Sequence, residues 1–423
     1  MADRIRPAEK AKGRRGRPSH REDRANEVLD AAARVLNAQG LTNTSLEAVA
    51  ASLGVTKSAL YYYFRNKQEL VFKCYLRSCE VACAAVEKSL GEEGTGRDRL
   101  ESYIRRQISP DNPPVAFVGE IEFLEPQQRD SLRIWVRRHH EALVQLLEES
   151  TRDGSLVMPA PNLVVYSLKG ALNWMTVWFD PGGPLDRQDI AEAFIDLFMF
   201  GLAPRDQRPL RQAIQPVRLD PPPEPLAFDR AEHASRRRDV LVRAGSEFFN
   251  ENGFDNCTLE DIAGGLGISR SALYHYVSSK EYLLYAGFVR SLDITEIILK
   301  NVDSFNEEGC RKIERTIRSA VELQASQAGP IANYARLKSL TQEHASEVRD
   351  RSNALEARLA GFFNRGLTDG SIRPLDSRMA RLALLGAINW LPRWFTPAVS
   401  FDADSVAANL VHLFIHGLVP RRL

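Results

Sequence analysis

The sequence predicts an all-α protein made of two tandem helical units, and three observations carry the prediction. Apolar residues recur at helical spacing through both halves, with no alternating run of strand length. A thirty-residue stretch near the N-terminus returns without a gap 213 positions later. A proline-rich segment separates the two copies.

The bulk numbers bound the reading. A chain of 423 residues, 44% hydrophobic and 26% charged, holds ample core for about two to four domains. No apolar run reaches the ~18–20 residues of a membrane span, and no apolar segment follows the charged N-terminus. Cytoplasmic residence without a membrane partner is the expectation. Five cysteines are too few for a disulfide framework. Cys79 and Cys83 share a helix face, but no His or further Cys stands near enough to complete a metal site, so they are expected to pack. Net charge is only +1, yet residues 1–24 carry nine Lys or Arg against four acids.

That basic run is the first element. Residues 1–20 are expected to form a flexible arm. Its Arg14, Arg15 and Arg17 stand in an Arg-Gly-Arg-Pro setting that suits insertion into a narrow minor groove. Residues 21–66 are expected to form a first helix-turn-helix domain. Val28, Leu29, Ala32, Val35 and Leu36 make one apolar stripe that stops at Gly40. Ser45 is placed to cap a short helix, and Thr44 and Glu47 have capping-box spacing. Ala50, then Gly54, then Leu60 are what two crossed helices need: a small contact, a tight turn and an apolar plug. The next short helix exposes Thr56, Lys57, Ser58, Tyr61, Tyr62 and Tyr63. Hydroxyls and a cation at a helix start suit base edges and phosphates in a major groove. Three consecutive aromatics cannot all face inward, because successive helical residues sit ~100° apart. Lys67 opens the following helix as a further phosphate contact.

Residues 67–203 read as a larger helical domain for ligand binding and dimerisation, with helices at 67–90, 131–150, 163–179 and 186–201. Trp174 and Trp178 lie at i, i+4 beside Gly170 and Ala171, a helix-helix interface or a ligand wall. Residues 204–232 hold Pro221, Pro222, Pro223 and Pro225 and read as an extended linker, long enough to span roughly 90 Å. The second copy then repeats the plan, with a helix-turn-helix domain at 233–279 and a ligand domain at 280–423. Thr258, Ser269, Arg270, Ser271, Tyr274, His275, Tyr276 and Lys280 take the positions of the first reader. Trp390 and Trp394 repeat the tryptophan pair at an offset of 216.

The stretches VTKSALYYYFRNKQEL and ISRSALYHYVSSKEYL resemble the signature of TetR-family repressors. The resemblance implies a three-helix DNA-binding domain followed by a helical ligand-binding and dimerisation domain, in each copy. It places Thr56, Lys57, Ser58, Tyr61, Tyr62, Tyr63 and Lys67, and their partners Ser269, Arg270, Ser271, Tyr274, His275, Tyr276 and Lys280, at DNA-contacting positions. Tyr63 and Tyr276 depart from it, standing where many relatives have His, and the covalent tandem departs from one copy per chain. The Gly-Ala-x-Asn-Trp-x-x-x-Trp-Phe block resembles the subgroup controlling fatty-acid or sterol breakdown, which implies a small hydrophobic effector such as an acyl-CoA. Arg133, Arg137 and Arg138 would suit its phosphates, or form a solvated face.

An enzyme is not expected. The sequence has no phosphate-cradling glycine loop, no nucleophile elbow and no HExxH, and His139 and His140 point apart on a helix. The expectation is a ligand-responsive transcriptional regulator, a repressor, that binds double-stranded DNA at an imperfect palindrome. The two copies would pair within one chain, 163–179 and 186–201 packing on 377–395 and 402–417, or pair as a homodimer of tandem chains. The alternative is a regulator or interaction module in which only one unit binds DNA.

Overall fold

The computed structural model describes residues 20–206, 214–219, 230–326, 329, 334–396 and 401–421. Arg14, Arg15 and Arg17 lie outside them. Unit one runs α1 (His20–Asn43), α2 (Leu46–Ser52), α3 (Lys57–Tyr61), α4 (Lys67–Leu90), α5 (Gly96–Ile108), α6 (Pro126–Arg152), α7 (Pro161–Trp178) and α8 (Arg187–Phe200). Unit two repeats the order as α9 (Arg230–Asn252), α10 (Leu259–Gly265), α11 (Arg270–Tyr276), α12 (Lys280–Ser304), α13 (Gly309–Ala325), α14 (Gln342–Asp369), α15 (Ser377–Trp394) and α16 (Ala403–Val411). Short turns at Ile121–Phe123 and Tyr334–Ser339 precede α6 and α14. The described residues contain no strand. None of their helices is long and apolar enough to cross a membrane.

The helix ends follow local chemistry. Pro126 and Pro161 occupy first turns, where a missing N–H costs nothing. Helix α5 was not legible in the apolar pattern, although Thr95 and Asp98 form a capping box at its start. At α2 only half of the expected cap forms. Ser45 accepts from Ala48 N at 3.0 Å, whereas Thr44 is buried and donates to the Gly40 carbonyl at 2.7 Å. Glu47 is left free to pair elsewhere. The described part of the proline-rich segment is extended but not free. Ile214 is buried and Val217 N donates to Ser319 Oγ at 2.9 Å, so residues 214–219 lie along α13.

Each unit has a small head around its helix-turn-helix, with separate cores built on Val49 and Leu60 or on Ile262 and Leu273. The two bodies share one core, which runs without a break from Val86 and Phe198 to Phe363 and Phe414. The expected pairing within one chain is what forms. Helix α7 packs along α15, α8 packs on α15, and α16 packs on α7. Backbone hydrogen bonds cross the seam in matched pairs. Leu202 N donates to Phe414 O and Leu418 N to Phe198 O, both at 2.9 Å. Arg373 N donates to Leu202 O at 2.9 Å, and Val157 N to Leu418 O at 2.7 Å. Members of each pair exchange under the 216-residue offset, the signature of two-fold symmetry inside a single polypeptide.

Candidate nucleic-acid interface and effector pocket

The reader helices form because α2 and α3 have caps and a turn that favours glycine. Gly54 and Gly267 adopt φ of 65° and 64°, in the left-handed region that a Cβ disfavours. Thr56 and Ser269 then cap α3 and α11 by accepting from Ala59 N and Ala272 N. Leu60 and Leu273 are fully buried and fix the crossing angle.

With the leucine inward, the neighbouring aromatics sort as helical geometry requires. Tyr61 and Tyr62 are 49% and 63% exposed, and Tyr274 is 42% exposed. Tyr63 and Tyr276 are half-buried against the head cores. Ser58, Ser271 and His275 face solvent, as does Thr258 at the start of α10, while Ser45 is half-buried in its capping role. The exposed side chains on α3, and those on α11, give each head a polar face on its second short helix.

The two cations of that face are held alike. Lys57 pairs with Glu47 and lies 5.7 Å from the Tyr61 ring centroid. Arg270 pairs with Glu260 at 2.7 Å and lies 5.2 Å from the Tyr274 ring centroid. The Glu47 hydrogen bond raises the Lys57 pKa, and Lys57 in turn lowers that of Glu47. Both cations are therefore presented charged, with an internal partner that a phosphate can replace.

Lys67 and Lys280 are placed differently from the other candidates. Lys67 Nζ donates to the carbonyls of Leu41 at 2.6 Å and Thr42 at 3.5 Å. Lys280 Nζ donates to Phe254 O at 2.8 Å and Cys257 O at 3.1 Å. Both ammoniums tie the start of the long helix to the loop before the reader, and burial lowers the Lys67 pKa. Sequence reasoning assigned them to phosphate because a lysine near a reader carries no mark of its acceptor.

The heads also touch. Thr42 Oγ1 donates to Asp255 Oδ2 at 3.1 Å, and these positions correspond under the 213 offset. Thr42 Oγ1 lies 3.0 Å from Ser339 Oγ, and Asn43 Nδ2 donates to Lys338 O at 2.6 Å. The spacing of the two readers is thus tied at the heads as well as at the body seam.

A pocket of about 470 Å³ opens below the heads, mainly among α12, α13, α14 and α15. Leu292, Leu299, Leu355, Leu359 and Leu385 make its wall apolar. Trp174 and Trp178 reach it from the other unit, while Trp390 and Trp394 do not line it. Trp390 packs edge-on against Phe117, and Trp394 stacks on Tyr166 at 4.3 Å. The four tryptophans therefore divide between pocket and seam. Arg133, Arg137 and Arg138 are spent in ion pairs with Asp130, Glu141 and Glu87 on the outer face of α6. His139 and His140 take separate partners, Tyr103 and Asn162.

Known proteins match this chain in duplicate. The family described as bacterial regulatory proteins, tetR family, matches residues 28–74 and again 241–286. The tetracyclin repressor-like C-terminal domain matches residues 93–202 and again 307–418. The HTH-type transcriptional repressor KstR2 of Mycolicibacterium smegmatis is 23% identical over 199 residues, which are 44% of this chain and 93% of that protein. The HTH-type transcriptional activator FasR of the same organism is 25% identical over 199 residues, 45% of this chain and 88% of its own length. The fatty acid metabolism regulator protein of Bacillus subtilis is 20% identical over 134 residues, 31% of this chain and 69% of that protein. All three are regulators by name, and each is matched by less than half of this chain.

Proposed function

Because this chain belongs to the tetR family of bacterial regulatory proteins, with both domains of the family present twice, we propose that a single chain is a complete operator-binding unit. It is a transcriptional regulator, a repressor, whose two readers address the two halves of an imperfect palindrome in double-stranded DNA. The observation that carries this reading is the shared core. Two bodies joined by one continuous hydrophobic cluster hold two like-built heads in a fixed relation, without a second chain.

The side chains proposed to meet DNA are Thr56, Lys57, Ser58, Tyr61 and Tyr62, and Ser269, Arg270, Ser271, Tyr274 and His275, with Ser45 and Thr258 flanking them. Tyr63 and Tyr276 would reach phosphate only with the edge left outside the core. Lys67 and Lys280 would act at one remove by fixing the loop before each reader. Arg forks to guanine better than Lys does, so Lys57 and Arg270 should favour related but unequal half-sites.

A small hydrophobic effector in the pocket would shift the readers and release DNA, and DNA would weaken effector binding by the same factor. The fatty acid metabolism regulator among the relatives and the apolar wall support a lipid-derived molecule such as an acyl-CoA.

Mass determination of the complex with a short selected palindrome tests the reading. One 47.5 kDa chain per duplex is expected. Lys57→Ala should then relax recognition of one half-site and Arg270→Ala of the other. Two chains on one short palindrome would overturn the single-chain operator unit. No effect of Arg270→Ala would favour the reading in which one unit alone binds DNA.

A further inference from the structure

We propose that the chain carries one effector site, not two: the pocket of unit two, walled by α1 of unit one, so that an effector bound in one unit acts directly on the reader of the other. The proposal rests on the reading of the chain as an effector-responsive DNA-binding protein.

The two units differ where the family plan makes them equivalent. In unit two the pocket is lined by Leu292, Thr316, Leu355 and Leu385. The repeat offsets put Cys79, Tyr103, His139 and Lys169 at the corresponding places in unit one. Tyr103 and His139 are both buried there, and the Tyr103 hydroxyl lies 3.1 Å from His139 Nε2. A large ring and a satisfied polar pair stand where unit two has a threonine and a leucine. An apolar molecule entering unit one would leave both polar atoms buried and unpaired. No residue of α5 or α6 lines the pocket.

The wall explains the crossing of signals. Leu36, Asn37, Gly40 and Leu41 of unit one line the pocket, whereas their equivalents Phe249, Asn250, Gly253 and Phe254, in α9 and just beyond it, do not. Lys338 of unit two is wedged against this wall. Its Nζ donates to Asn37 O, and a Cβ on Gly40 would stand 2.8 Å from Lys338 Cβ. The Leu41 carbonyl is the acceptor that holds Lys67, and α2 begins five residues later at Leu46. An effector that parts Lys338 from α1 therefore moves the loop from which the first reader hangs.

The lining also defines the occupant. Its cations, Lys338 and Arg349, are balanced by Glu120 and Glu356, so the apolar wall selects the body rather than a net charge. Trp178 lines the pocket, and its Nε1 is buried with no hydrogen-bond partner among the described residues. An acceptor oxygen would satisfy it. The chemical class is a hydrophobic molecule bearing a carbonyl, thioester or similar oxygen.

The test titrates the free full-length chain with 1-anilinonaphthalene-8-sulfonate and reads energy transfer from tryptophan and amide exchange. One dye per chain is expected. Thr295→Phe and Ala320→Trp, which fill the pocket from two different helices, should each weaken binding by about tenfold or more while the far-ultraviolet circular dichroism stays native. Two dyes per chain, or full binding by both filled variants, would overturn the single site and leave the DNA-binding reading standing. Dye should change exchange at residues 36–46 in the natural chain and not in Lys338→Ala, each compared at the dye concentration that saturates it. Unaltered exchange there, with a response confined to 249–259, would overturn the crossed coupling. A separate arm adds oleoyl-CoA to the chain bound to its palindrome. If DNA is retained while the pocket is occupied, the effector-responsive reading falls, and the proposal with it.

Discussion

Gly170 and Gly386 meet back to back where α7 crosses α15: a Cβ on Gly170 would lie 3.0 Å from the Gly386 carbonyl oxygen, and one on Gly386 2.9 Å from that of Gly170. Those added carbons would also stand 2.8 Å from Trp390 Cβ and 2.6 Å from Trp174 Cβ. This contact lets two broad helices approach closely enough for the bodies to share a core.

Adding one carbon there should therefore cost more than helix propensity returns. Gly386→Ala gains up to ~1 kcal/mol of propensity but overpacks the crossing, a penalty of about 1–3 kcal/mol. Gly361 in α14 has nothing within 4 Å of its Cβ position. Gly361→Ala should stabilise by about 0.5–1 kcal/mol. Urea denaturation of both variants should show midpoints displaced in opposite directions. A stabilised Gly386→Ala would show that the crossing is looser than its geometry.

The reader cations give a second expectation. Lys57 is paired with Glu47 before any DNA arrives. Lys57→Ala should weaken operator binding by about 1–3 kcal/mol. Glu47→Gln should tighten it, because a carboxylate next to the phosphates is removed and Lys57 is released to them. Gel shifts at several salt concentrations check both, and a weakened Glu47→Gln would mean that the carboxylate orients Lys57 rather than competes for it.

The seam should be acid-sensitive. His416 closes the turn after α16, and its pKa is pushed down to about 4, chiefly by burial and then by Arg421 and His412. Arg421 donates to the carbonyls of Ala203 at 3.1 Å and Pro204 at 2.9 Å across the seam. A histidine with a depressed folded pKa binds protons more readily when unfolded. Its neutral form contributes fully above the usual 6.5, and the contribution is lost as pH falls from there towards 4. The loss is at most about 3.5 kcal/mol, from ~1.4 kcal/mol per pH unit across that window, and solvent screening at the half-buried ring makes it smaller. His416→Phe should flatten the decline in thermal midpoint over that window. An unchanged decline would assign it to other groups, such as buried His139.

The sequence alone determined the repeated unit, the helix-turn-helix and the exposed reader face. All of these rest on local rules: the spacing of Ala50, Gly54 and Leu60, the cap at Ser45, and the ~100° step that leaves Tyr61 and Tyr62 outside when Leu60 is inside. The duplication made each signal visible twice. It could not assign Lys67, whose acceptors at Leu41 and Thr42 lie a helix away, nor show that Thr42 meets Asp255. It could not separate the roles of four similar tryptophans either. Trp174 and Trp178 reach a pocket while Trp390 and Trp394 pack against Phe117 and Tyr166, because the space beside each depends on what the other unit places there. Only the tertiary structure decided that the pocket lies in unit two. Helix periodicity reports which face is buried. Whether the buried space is filled depends on distant side chains: Tyr103 and His139 in one unit, Thr316 and Leu355 in the other.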